Sequence, residues 1–138
     1  MSRNSTTQRD ATLPQPASSS ARDDLRAALD GIRGFAEGDV DIADWAAWFT
    51  EALHLLDAPE PVIPYHPDLA PEGLPPESRQ LLAAAVKSWV FGGMGSWNDI
   101  AFSDTARGAE YDQRTDDLYR SVLAALIAVT RGPQSVKV

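Results

Sequence analysis

The residues that could do chemistry fall in a few separate places along the chain. His66 and Asp68, in the stretch Tyr-His-Pro-Asp, have the makings of a proton-transfer pair or of two metal ligands. Glu51 and His54 match the Glu-x-x-His spacing with which helical bundles aim two metal ligands inward. Asp112 and Asp116 would share one face of a helix, with Asp117 beside them, and such a face attracts a cation or a basic partner. Residues 89–99, Trp-Val-Phe-Gly-Gly-Met-Gly-Ser-Trp-Asn-Asp, combine clustered glycines with two tryptophans and two polar side chains.

Each candidate also has an ordinary structural reading. A metal centre built on Glu51 and His54 needs a second copy of the motif, but the other histidine, His66, has Ile63 three positions before it. Glu51 and His54 therefore read as an exposed pair, and no metal site or cofactor is expected. Tyr-His-Pro-Asp is also common turn chemistry. Asp112, Asp116 and Asp117 have Arg114 and Arg120 as neighbours and lack a glycine-shaped calcium loop, so a solvated or docking face is expected. No Gly-x-Ser-x-Gly elbow occurs, and two histidines offer few general bases for a nucleophile.

The glycines of 89–99 do not suit a phosphate. A phosphate loop places glycines before a helix, where free N–H groups and the positive dipole end face the anion. Here they follow an apolar helical run, with no Lys-Ser or Lys-Thr after them, and Gly92 and Gly93 read as a helix C-cap. Two readings of the remaining segment stand. Trp97 folds back over the bundle end while Asn98 or Asp99 bonds turn backbone, or the loop displays Trp97 as an anchor. In the second reading Met94 is an adaptable contact, and Asn98 and Asp99 supply polar specificity.

Residues 89–99 resemble a core string of small uncharacterised bacterial helical proteins, some of them associated with toxin and immunity systems. The resemblance covers about a tenth of the chain. It implies an immunity setting and assigns no catalytic role to Trp97, Asn98 or Asp99.

These residues must be positioned by helices. Residues 1–20 are rich in Ser, Thr, Gln, Asn and Pro and are expected to form a disordered tail, followed by one helical domain over 21–138. Leu25, Leu29, Ile32 and Phe35 recur at helical spacing in a first helix, capped by Ser20 with Asp23 and ending near Gly38. Gly31 and Gly34 within it each cost about 1 kcal/mol relative to Ala, which predicts a weak helix or a close approach by a neighbour. Asp41 is expected to cap a second helix whose face is Ile42, Trp45, Phe49, Ala52, Leu53 and Leu56. Seven prolines between 59 and 76 then force an extended connector, long enough to wrap the bundle or to serve a function. A third helix from Pro76 or Glu77 to Gly92 should bury Leu82, Ala85, Val86, Trp89 and Val90. The fourth runs from Ser103 or Asp104 to Arg131 and buries Tyr111, Leu118, Val122, Ala125, Leu126 and Val129. No strand alternation is evident, so the expected fold is an all-α, four-helix bundle.

Charge narrows the function classes. Residues 1–22 hold three arginines against one aspartate, so with −8 overall the remainder carries −10. Such a domain repels nucleic acid and anionic membranes and attracts basic proteins. Without a secretory leader, a long apolar run or any cysteine, the chain is expected to be cytoplasmic and free of disulfides. The expected function is a non-enzymatic protein-binding domain, which the resemblance makes an immunity protein that masks a basic toxin, with Met94, Trp97, Asn98, Asp99, Asp112 and Asp116 at the contact. The alternative is a small-ligand or metal-dependent enzyme whose site joins His66 and Asp68 of the connector to Asn98 and Asp99.

Overall fold

The computed structural model describes residues 17–64, 73–91 and 97–131, without the side chains of 17–19 and 99. They form α1 (Ala17–Glu37), α2 (Asp44–Asp57), α3 (Pro76–Lys87) and α4 (Thr105–Arg131), with a single 3-10 turn (Trp97–Asp99) before α4. Each helix packs on its neighbours in the chain, and α1 closes the ring against α4. The fold is an all-helical four-helix bundle; no strand occurs among the described residues, and none of their helices is long and apolar enough to cross a membrane.

The outer helices bury the faces their periodicity predicts. Leu25, Leu29, Ile32 and Ala36 of α1 are fully buried, as are Leu118, Val122 and Ala125 of α4. Asp104 caps α4, its carboxylate accepting the Arg107 N–H at 2.9 Å, which satisfies one of the donors a helix start leaves free. Gly31 lets a neighbour in, as its cost in the helix suggests, but the visitor is a side chain. A Cβ there would stand 2.6 Å from Arg114 Nη1, whereas one at Gly34 would meet nothing within 4 Å.

Several boundaries differ from expectation. Helix α1 starts at Ala17, so Ser20 lies inside it and cannot act as its cap. Serine costs little in a helix when nothing pulls the backbone away. Helix α2 starts at Asp44 rather than after Asp41, because Asp39 takes the turn: its carboxylate accepts the Asp41 N–H at 3.0 Å and its carbonyl accepts Ile42 N–H at 3.0 Å.

Helix α3 differs most. Its buried face is Leu81, Ala84 and Ala85, with Ala83 also buried, one position round from the stripe through Leu82, Val86 and Trp89. The helix ends at Lys87 with Ser88 as its cap, not at Gly92 or Gly93, which lie outside the described residues. Fully buried Ser88 donates its hydroxyl to the Ala84 carbonyl at 2.7 Å, and the indole N–H of Trp48 takes the Lys87 carbonyl at 2.8 Å. A partner from α2 thus satisfies an orphan carbonyl that a longer helix would have paired internally.

Residues 58–64 of the connector lie against the bundle. Pro61 and Ile63 are buried, and because proline retains its carbonyl, side chains can hold the strap. Gln80 donates to the Ala58 carbonyl at 2.6 Å and Arg79 to that of Pro61 at 3.4 Å. Arg22 of α1 joins them by donating to Gln80 at 3.0 Å and to the Leu56 carbonyl. Arg22 also reaches Asp57, at 3.4 Å, which in turn receives two bonds from Arg26, at 2.8 and 3.2 Å. The Arg26 hydrogen bond, helped by the charges of Arg26 and Arg22, holds the Asp57 carboxyl below the usual carboxylate range.

Candidate partner-binding cleft

The segment that follows α3, the 3-10 turn and residues 111–119 of α4 make an open cleft of about 550 Å³. Because α3 stops at Lys87, Trp89 and Phe91 leave its end in irregular chain and pack against Tyr119. The three rings form a triangle: Trp89 to Phe91 at 5.2 Å, Phe91 to Tyr119 at 5.2 Å and Trp89 to Tyr119 at 5.9 Å. The first two pairs meet edge to face, the arrangement that ring quadrupoles favour. Trp89 is nonetheless 47% exposed and Tyr119 40%. On α4, Tyr111, Thr115 and Tyr119 recur every fourth residue and so line the cleft together, with Asp112 and Asp116 one position round.

Trp97 does not reach the surface. The displayed-anchor reading is corrected: the side chain is fully buried, edge-on to Phe49 at 5.2 Å, Trp45 at 5.6 Å and Phe35 at 6.5 Å. Its indole N–H donates to the Thr115 hydroxyl at 2.7 Å, and the Tyr111 hydroxyl donates to its backbone carbonyl. Both of these α4 residues line the cleft. Trp97 therefore supports the cleft from beneath, which matches the folded-back reading of this segment.

The remaining site residues divide. Asn98 lines the cleft and is exposed, its amide donating to the Phe91 carbonyl at 3.4 Å. Asp112 and Asp116 are also exposed there. Asp116 is held by Arg120 at 2.8 Å, whereas Asp112 makes no ion pair among the described residues. The Asp99 side chain, Met94, His66 and Asp68 lie outside the described residues, and with them the juxtaposition that the enzyme reading requires.

Glu51 and His54 are both exposed, but Glu51 pairs with Lys87 of α3, at 2.8 Å, rather than with the histidine. No group of three or more His, Asp or Glu side chains that could hold a metal ion occurs among the described residues.

Sequence reading misses Trp89, Phe91 and Tyr119 as surface residues. Trp89 is drawn inward by its size and by an apolar run that leaves the helical phase open. The recurrence of Tyr111, Thr115 and Tyr119, each pair flanking an aspartate, was the signal available for the α4 side. Comparisons with protein-family models, with curated proteins and with solved structures find no match. The site's own geometry therefore carries the functional reading.

Proposed function

We propose that the chain is a protein-binding domain that engages a basic partner through the cleft of Trp89, Phe91 and Tyr119. The observation that carries this reading is the exposure of two rings of an aromatic triad, Trp89 and Tyr119, beside Asp112 and Asp116 in a chain of net charge −8. Clustered, solvated large aromatics are costly to leave in water, and aromatic side chains dominate binding hot spots. Acidic surroundings speed the approach of a basic protein and discourage nucleic acid. An immunity role, in which the domain masks a basic toxin, is the form of this reading that the resemblance of residues 89–99 suggests.

Affinity capture with wild-type protein and Trp89→Ala tests it. A basic protein should be retained at low ionic strength, released by salt, and lost with the variant. Equal retention by wild type and Trp89→Ala, with both folded by circular dichroism, would remove the cleft from the account.

A further inference from the structure

The bundle twice builds the same three-part arrangement: a cation over an aromatic face, with a carboxylate as the cation's second neighbour. Lys87 Nζ lies 3.7 Å from the Trp48 ring centre and 2.8 Å from Glu51. The Arg107 guanidinium lies 4.1 Å from the Phe35 ring centre and 3.5 Å from Asp39. In each case the ring quadrupole and the carboxylate act on one charge, and packing removes part of the water that would screen them.

The cleft repeats the ring and carboxylate components. Trp89, Phe91 and Tyr119 line it with Asp112, yet no cation lies over these three rings among the described residues. Arg120 is engaged with Asp116 instead. We infer that the cleft takes an arginine side chain of the partner, its guanidinium against the exposed Trp89 and Tyr119 rings and its N–H groups on Asp112. Arginine fits better than lysine because its planar group stacks on a ring while its fork still reaches a carboxylate. Its methylene stem would cover the apolar surface around the triad. This inference rests on reading the cleft as a protein contact and names the group recognised there.

The test uses the full chain and two blocked tripeptides, one with a central arginine and one with citrulline, its uncharged counterpart of nearly the same shape. Resonances of the Trp89 indole and the Tyr119 ring are followed by NMR during titration. The arginine peptide should shift both and saturate in the millimolar range, with the citrulline peptide weaker by roughly five- to thirty-fold, the span that cation–π attraction covers. Asp112→Asn should weaken arginine and leave citrulline unchanged. Equal affinities for the two peptides, no saturable shift with either, or shifts confined to residues outside the cleft would overturn the inference. Partner capture that ignores Trp89→Ala would sink the protein-contact reading and, even with arginine selectivity, the partner's arginine with it. Loss of capture with Trp89→Ala, when the two peptides bind alike, would sustain the protein-contact reading and overturn this inference alone.

Discussion

The connection between α3 and α4 carries Trp89 at its start and Trp97 at its middle, yet the first is 47% exposed and the second is fully buried. Both rings have aromatic neighbours, so an aromatic setting alone does not separate them. What separates them is the bundle's interior. Trp97 meets rings from α1, α2 and α4 and finds Thr115 for its N–H, whereas the aromatic partners of Trp89 are Phe91 and Tyr119, with Tyr119 itself exposed. A buried indole needs a hydrogen-bond acceptor, while an exposed one can use water. The two residues therefore do different work: Trp97 ties α1, α2 and α4 together, and Trp89 is left available for contact.

The widest gap between the two should come from truncation. Trp97→Ala is expected to cost about 3–5 kcal/mol, the range for deleting a large buried aromatic, and urea denaturation measures it. A loss below about 1 kcal/mol would mean that the ring is not the keystone its surroundings suggest.

Thr115 tests the link between the two regions, since it accepts the Trp97 N–H on one side and lines the cleft on the other. Thr115→Val keeps the shape and removes the acceptor, so an orphaned buried donor should cost about 1–3 kcal/mol. The Trp97 indole N–H resonance should move in the same variant. An unmoved resonance would show that the bond is not what fixes the ring.

For Trp89→Ala the expected loss of stability is about 1 kcal/mol or less, with partner binding abolished. Stability and binding thus change places between the two tryptophans. A loss for Trp89→Ala as large as that for Trp97→Ala would erase the contrast and make the triad part of the core.

The contrast also marks where the sequence is legible. Leu25, Leu29, Ile32 and Phe35 on α1, and Tyr111 and Leu118 in the first half of α4, are spaced by charged residues, so the inward face there has a single solution. In α3 the run from Leu81 to Val86 is apolar at every position, and no polar residue sets the phase. The structure fills the interior with small alanines and turns Leu82 and Val86 only partly inward. The helix end was hidden for a different reason: the bond from Trp48 to the Lys87 carbonyl is tertiary, and local spacing contains no trace of it. Asp112 and Asp116 were legible as a shared face because their spacing alone decides it. The rings opposite them were not, since their exposure follows from where α3 stops.

The smallest expected effect separates electrostatics from both aromatic regions. Asp57 accepts bonds from Arg26 and Arg22 at the α1–α2 contact, well apart from the cleft in the chain. Its carboxyl is held below the usual range, chiefly by the Arg26 hydrogen bond, so the folded state binds its proton less readily than the unfolded chain does. The stabilisation is therefore complete above the ordinary aspartate value of about 3.9 and is lost as pH falls through the lower folded value. Asp57 is largely exposed, so solvent screening keeps the contribution below about 1 kcal/mol. Asp57→Asn should lower stability slightly at about pH 7, and its difference from wild type should shrink as pH falls through the lowered folded value. Because Trp97→Ala removes packing rather than charge, its deficit should persist across the same pH range. A wild-type difference for Asp57→Asn that grows on acidification would reverse the assigned sign and return the acid sensitivity of the bundle to some other carboxylate.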